Sequence, residues 1–359
     1  MTVTPPDWLD PLRAAAFAQW LATVSAQHGL QSDTVRLASA DASFRRYFRV
    51  DGTAPGSSFI IMDAPPAQEN SAPFVRIAAL MAEAGLRAPS VLAWDEPLGF
   101  MLLTDLGQQT LLDVIAPPAG IAPLQPTTAH FDLYMHAVDL LVRWQLASKP
   151  DVLPAYDDAL LSRELALFPE WYVGRYRGLT LDSQKMATLD SAFAQIKASN
   201  LNALGGARVY VHRDFMPRNL MVAADGELGV LDFQDAVYGP ISYDIASLMR
   251  DAFVSWDEEF VLDITVRYWQ KARQAGLPVG DDFGEFYRAV EWMGLQRHFK
   301  VLGIFARLTL RDGKPQYLRD TPRFIKYARA ACARYRPLGP LMVLLDEIEG
   351  NETRVGYTF

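Results

Sequence analysis

Residues 209–222 read Val-Tyr-Val-His212-Arg213-Asp214-Phe-Met-Pro-Arg218-Asn219-Leu-Met-Val, and residues 228–235 read Leu-Gly-Val-Leu-Asp232-Phe233-Gln234-Asp235. Two short apolar stretches, 208–211 and 228–232, enclose the polar run from His212 to Asn219. Apolar runs of this length bounded by turn residues predict a strand, a loop and a second strand. Around them the periodicity is helical, over 130–147, 159–174, 182–199, 243–254, 257–275, 283–308 and 322–334.

The first hundred residues differ. A helix is predicted over 7–26, then strands over 34–38, 44–50 and 58–62. In 70–84, Phe74, Ile77, Ala78 and Met81 recur at helical spacing, with Asn70 or Ser71 to cap the start and Gly85 to end it. Two further strands follow around 89–94 and 100–104. Residues 115–127, rich in Pro and Ala, read as a connecting loop. A small sheet with helices thus precedes a mainly helical remainder.

The chain has 359 residues, half of them hydrophobic and 21% charged, which is the balance of a folded protein long enough for two lobes. Its net charge of −8 argues against a general nucleic-acid binder. The single cysteine, Cys332, excludes an intramolecular disulfide and any zinc site of several cysteines. The first seven residues lack the basic and apolar regions of a secretory signal, and the longest apolar run, 338–345, is interrupted by Gly339 and Pro340. The expectation is a cytoplasmic protein without membrane or nucleic-acid partners and with no obligate protein partner evident.

His212-x-Asp214-x-x-x-x-Asn219, followed by a strand ending in Asp232, resembles the catalytic core of the protein-kinase-like superfamily. Tyr238-Gly-Pro-Ile-Ser-Tyr-Asp244-Ile-Ala-Ser-Leu resembles its small-molecule branch, the aminoglycoside, choline and sugar phosphotransferases. The resemblance implies an α+β, bilobal protein-kinase-like fold. A small antiparallel-sheet lobe over 1–104 binds nucleotide. A large helical lobe over 105–359 holds the catalytic loop 210–222, the metal-binding strand 228–235 and helical substrate regions over 130–200 and 243–335. It also implies ATP and Mg²⁺. Phosphoryl transfer needs a carboxylate to orient the acceptor hydroxyl and oxygen ligands for the metal. Asp214 is then the catalytic base, Asn219 and Asp232 are metal ligands, His212 orients the loop, and Asp244 braces it. A protein kinase is disfavoured: only 11 residues separate Asp232 from Asp244, Met216 stands where protein kinases carry a lysine, and Asp232-Phe-Gln replaces Asp-Phe-Gly.

The first lobe departs from the superfamily, which places a phosphate-binding lysine on its third strand; here no lysine precedes Lys149. The expected substitute is Arg45, Arg46 or Arg49. Strand alternation puts Arg46 on the apolar face with Phe44, Phe48 and Val50, where it needs a partner, and puts Arg45 and Arg49 on the other face. Glu69 or Glu83 is the candidate partner of that cation. Residues 39–43, ending at Ser43, take the place of the phosphate loop without its glycines, and Leu103 to Leu106, including Asp105, take that of the adenine hinge. The missing lysine leaves open a silent, ligand-binding relative.

For the acceptor, residues 285–326 hold nine basic and four acidic residues, which speaks against polycations such as aminoglycosides. Arg297, Lys300, Arg307 and Arg311 fall on one helical face. Gln234, Arg250, Trp256 and Lys300 are candidate acceptor-binding residues. Residues 41–49, 62–66, 212–215, 231–237, 296–307 and 311–314 are similar to those of the bacterial anomeric kinases of N-acetylmuramate and N-acetylglucosamine. That resemblance spans roughly residues 10–335 and implies ATP-dependent phosphorylation of the C1 hydroxyl of the sugar, a small-molecule substrate, in cell-wall recycling. A kinase of another small alcohol, such as choline or homoserine, is the alternative.

Overall fold

The structure is a computed structural model describing residues 8, 10–40, 44–116 and 120–351, with residues 39 and 40 described by backbone alone. By internal packing the chain forms two compact units, residues 1–109 with 221–235, and residues 110–220 with 236–359.

In the first unit, α1 (Pro11–His28) starts where the Asp10 side chain accepts the Leu12 N–H at 2.9 Å and ends at Gly29, whose φ of 63° suits a residue without Cβ. Strands β1 (Leu30–Ala40), β2 (Arg46–Gly52), β3 (Ser58–Asp63), β4 (Val91–Asp95) and β5 (Phe100–Thr104) form an antiparallel sheet in the order β1-β2-β3-β5-β4. Helix α2 (Ala72–Glu83) connects β3 to β4. One sheet face presents Phe48, Val50, Ile61, Phe100 and Leu102, and α1 covers it with Phe17, Trp20, Leu21 and Val24. The predicted elements are present, with β1 extended well beyond 34–38.

Residues 221–235, expected with the helical lobe, pack with the first unit instead. Strands β8 (Leu220–Val222) and β9 (Leu228–Val230) lead there, and the Val230 N–H donates to the Arg87 carbonyl at 2.7 Å. Arg87 also pairs with Asp225 at 3.0 Å, and the Phe233 ring sits 4.8 Å from Phe74 on α2. Apolar burial of Phe233 thereby ties Asp232 to the sheet-bearing unit.

A two-residue strand, β6 (Gln109–Thr110), precedes the second unit, which comprises α3 (Leu111–Ile115), α4 (Thr128–Leu146), α5 (Asp158–Leu167), α6 (Ser183–Asn202), β7 (Arg208–Val211), β10 (Val237–Pro240), α7 (Ser242–Met249), α8 (Glu258–Gln274), α9 (Phe283–Leu310), α10 (Thr321–Arg334) and α11 (Gly339–Glu349). β7 and β10 pair antiparallel, Val211 opposite Val237. Helix α9, about 42 Å long at 1.5 Å per residue, is the axis on which α5, α6, α7 and α10 pack. At Gly303 a Cβ would come within 2.5 Å of the Leu167 backbone, so only glycine admits that crossing.

Three helical expectations change. The helix expected over 159–174 becomes α5 followed by wider π-helical turns over Phe168–Tyr176, beginning beside Pro169, which has no N–H to continue the ladder. The one expected over 243–254 stops at Met249, because the Asp251 carboxylate takes the Phe253 and Val254 N–H groups at 2.8 and 2.9 Å. Gly339 and Pro340, expected to break an apolar run, begin α11, where a first-turn proline is favourable. Among the described residues no helix is long and apolar enough to cross a membrane.

Candidate active site

In the second unit, β7 delivers the chain into the loop His212–Asn219. Buried Asp244, in the first turn of α7, accepts the His212 N–H at 2.7 Å and the Arg213 N–H at 3.0 Å. His212 is buried; its Nδ1 accepts the Asp214 N–H at 3.3 Å, and its ring lies edge-on to Phe215. The Asn219 Nδ2 donates to the Asp214 carbonyl at 2.9 Å, leaving the amide oxygen as the hard donor of that side chain. The predicted loop residues His212, Asp214, Asn219 and Asp244 are thus one hydrogen-bonded group.

Arg213 takes a left-handed backbone, φ 77°. For a non-glycine residue that conformation costs about 1–3 kcal/mol and persists only where its surroundings over-determine it. Three contacts do so: Asp244 takes the N–H, the guanidinium donates to Glu164 Oε1 at 2.6 Å, and the carbonyl accepts Arg297 Nη1 at 2.6 Å. Glu164, on α5, is itself surrounded. Tyr156 and Gln296 donate to its Oε2 at 2.5 and 2.8 Å, and Lys300 Nζ lies 3.0 Å from Oε1. Lys300 also donates to the Tyr243 hydroxyl at 3.0 Å.

Asp214 is half-buried. Its deep setting by itself raises the carboxyl pKa, but Lys300, Arg297, Arg213 and His212 outweigh that and hold it below the ordinary carboxylate range. Asp244 goes the other way: complete burial raises its carboxyl despite His212 and the two N–H donors.

The expected basic stripe therefore does not present a solvent face. Arg297 and Lys300 are 5% and 6% exposed and turn toward Arg213, Glu164 and Tyr243, while exposed Arg311 pairs with Asp312 at 2.6 Å. The other acceptor candidates of this unit, Arg250 and Trp256, line a cavity of about 320 Å³ with Tyr287, His298 and Tyr327. Arg250 pairs with Glu258 at 2.7 Å and lies over the Tyr327 ring. Trp256 is chiefly core: it is 3% exposed and its indole N–H donates to Tyr134 at 2.7 Å.

In the first unit, the three candidate arginines separate. Arg46, on the apolar face as the alternation predicts, donates to Asp63 at 2.6 and 3.0 Å and lies over Trp8; Arg13 shares the same buried carboxylate. Arg49 is bound to Asp105, at 2.6 and 3.0 Å, and to the Gly107 carbonyl. Burial by itself raises the Asp105 carboxyl, but hydrogen bonds from Arg49, Ser58 and the Gly107 N–H bring it below its ordinary value. Arg45 instead pairs with Glu69 at 3.2 Å. Burial lowers its guanidinium pKa, but Tyr47, Glu69 and Asp232 together raise it on balance. Arg45 thus shares the field of Asp232, and its partner is Glu69, while Glu83 is exposed. Asp232 has φ 61°, and its carboxylate accepts Gln234 Nε2 at 2.8 Å. Leu103 lies inside β5, opposite Ile60 and Val91, and the chain leaves the sheet after Thr104. Ser43 and the rest of 41–43 lie outside the described residues.

A model of the phosphotransferase enzyme family matches residues 34–282. The chain belongs to this family. It is 46% identical over 352 residues to an N-acetylmuramate/N-acetylglucosamine kinase of Neisseria meningitidis serogroup B, covering 97% of this chain and 99% of that one. A protein of the same description in Pseudomonas aeruginosa is 49% identical over 311 residues, 87% of each chain. Among solved structures, the choline kinase LicA of Streptococcus pneumoniae matches with a TM-score of 0.60 at 13% identity, over 89% of this chain and all of that one. LicA has also been solved with AMP, and that structure matches with a TM-score of 0.58 at 12% identity, over 90% and 99% of the two chains. The α+β, kinase-like fold expected from the sequence is the fold of this family.

Glu164 and Tyr156 were not among the residues singled out in the sequence, and Gln296 entered only within the stretch 296–307, without a role of its own. A glutamate within an ordinary helical pattern carries no local signal, and its importance comes from what the tertiary fold brings to it.

Proposed function

We propose that this phosphotransferase uses ATP to phosphorylate the anomeric hydroxyl of N-acetylmuramate or N-acetylglucosamine. The observation that carries the reading is near-half identity, over almost its whole length, to a kinase of those two sugars. Asp214 orients the acceptor hydroxyl and takes its proton, as a carboxylate kept anionic and partly accessible is suited to do. His212 and Asp244 hold the loop. Arg45, paired with Glu69, serves in place of the missing lysine on the nucleotide phosphates, and Arg46 and Arg49 serve the structure of the sheet through Asp63 and Asp105. The backbone that follows β5 reads adenine.

Mg²⁺ takes a few protein oxygens and completes its shell with phosphates and water. Asn219 and Asp232 offer the hard oxygens that this requires, and the Asp232 carboxylate is oriented by Gln234. They are the residues that would hold the ion, which when bound offsets charge on the transferred phosphoryl group. Arg250, with Tyr287 and Tyr327, lines a cavity whose aromatic faces suit a sugar ring and whose guanidinium suits hydroxyl or carboxylate oxygens.

Phosphorus NMR of the protein with ATP, Mg²⁺ and either sugar tests the reading. A new signal coupled to the anomeric proton is expected. An unchanged ATP spectrum with both sugars overturns the substrate assignment, and a panel of other alcohols in the same tube then identifies the acceptor class.

A further inference from the structure

The helix α9 turn Gln296-Arg297-His298-Phe299-Lys300 carries three polar side chains, none more than 6% exposed, that all act on one residue of the catalytic loop. Arg297 donates to the carbonyl of Arg213, the peptide group immediately before Asp214. Gln296 and Lys300 reach the same place indirectly: they flank Glu164, which accepts the Arg213 guanidinium. Arg213 is the loop residue with the left-handed backbone. Its N–H is held by Asp244 of the kinase motif, whereas its carbonyl and side chain are held from α9 and α5. The buried Arg297 guanidinium donates to one backbone carbonyl and lies over the Tyr243 ring, 4.9 Å from its centre; as a source of stability this is poorly explained, since apolar packing of similar volume is often as good. It is well explained as a means of fixing one peptide plane.

We propose that Arg297, with Lys300 and Gln296 acting through Glu164, is a positioning element that sets the direction of Asp214. The inference deepens the reading of Asp214 as the base and rests on it. These side chains fix the peptide from which the Asp214 side chain departs, and Arg297 and Lys300 also hold its carboxyl low, so the loss of Arg297 misdirects the carboxylate and raises its pKa together. Misplacement of a reacting group by about 1 Å can cost on the order of 10²-fold in rate.

The test is steady-state kinetics of the full chain with ATP, Mg²⁺ and the preferred sugar, alongside thermal unfolding, for R297M, R297K, Q296L and D214N. R297M is expected to lower kcat roughly ten- to hundredfold while KM for ATP stays within about twofold. R297K, whose ammonium can donate to the same carbonyl, is expected to recover most of that loss. A folded R297M with wild-type kcat and only a lowered Tm overturns the proposal. Where R297M does not fold, Q296L, which removes a neutral donor from Glu164, decides: reduced kcat at unchanged KM for ATP supports positioning, and wild-type kcat overturns it. D214N separates this from the underlying reading. An active D214N removes Asp214 as the base, whereas an inactive D214N beside a fully active R297M removes only the role of α9.

Discussion

The Asp244 carboxylate accepts the backbone N–H of His212 at 2.7 Å, and its second oxygen accepts that of Arg213. One side chain at the start of α7 therefore satisfies two consecutive donors of a loop that has no sheet partner there. Asp244→Ala leaves both donors unpaired in the interior, at about 1–3 kcal/mol each. The expected result is a clear drop in Tm with at least a hundredfold loss of kcat, and Asp244→Asn, which retains one acceptor oxygen, should fall between. Parallel thermal unfolding and turnover measurements check this; an active, stable alanine variant contradicts the bracing role.

Asp214→Asn keeps the size of the side chain and removes the proton acceptor. Turnover should fall by about 10²–10⁴-fold, the usual worth of a positioned base. Calorimetric titration with ATP and Mg²⁺ should give an unchanged Kd, because this residue is assigned to the acceptor. A loss of nucleotide affinity equal to the loss of rate would move Asp214 to the metal instead.

Arg45, Arg46 and Arg49 lie within five residues but have different partners, so their alanine variants should differ in kind. Arg45→Ala is expected to raise KM for ATP about tenfold or more, the worth of one charge-assisted contact of about 1.5–3 kcal/mol, with little change in Tm. Arg46→Ala and Arg49→Ala should act on Tm through Asp63 and Asp105, with KM for ATP nearly unchanged. Equal KM values for all three would leave the phosphate-binding cation unassigned.

Those arginines also mark the limit of what the sequence discloses. Alternation along β2 separates Arg46 from its two neighbours, because side-chain direction in a strand is local. It does not identify Asp63, Glu69 and Asp105 as their partners, since those pairings depend on sheet register and on the chain after β5. The loop His212–Asn219 was legible for the opposite reason: its residues act on one another across a few positions, so spacing encodes geometry. Arg297 and Lys300 read as a basic stripe available to a ligand because the groups they turn toward are remote: 84 residues separate Arg297 from the Arg213 carbonyl, and Lys300 reaches Glu164 on α5. Charge that is paired across such distances looks, in sequence, like charge left for a ligand.

Arg250 lines the cavity suited to a sugar ring and keeps its orientation through Glu258 at 2.7 Å. Arg250→Met preserves much of the packing against Tyr327 and removes the charge. KM for the sugar should rise about tenfold or more, the equivalent of a charged hydrogen bond of about 1.5–3 kcal/mol, while KM for ATP holds. If the sugar KM is unmoved, the acceptor lies elsewhere in the second unit.

Glu164 makes the buried cluster sensitive to acid. Burial pushes its carboxyl up, but Lys300, Arg213 and the Tyr156 hydroxyl overcome this and bring it from 4.5 to about 2. A folded-state pKa below the unfolded one means that this group's contribution is fully present above pH 4.5 and is lost as pH falls toward about 2. Glu164→Gln removes the carboxylate from between two buried cations, which at neutral pH should destabilise by about 3–5 kcal/mol, the usual cost of breaking a buried pair. The wild type loses the same contribution on acidification, whereas the variant has none to lose. The Tm difference between them should therefore be widest near pH 7 and shrink from pH 4.5 downward, as thermal unfolding at a series of pH values will measure. A difference that stays constant across that range would show that Glu164 is not the group through which the cluster senses acid.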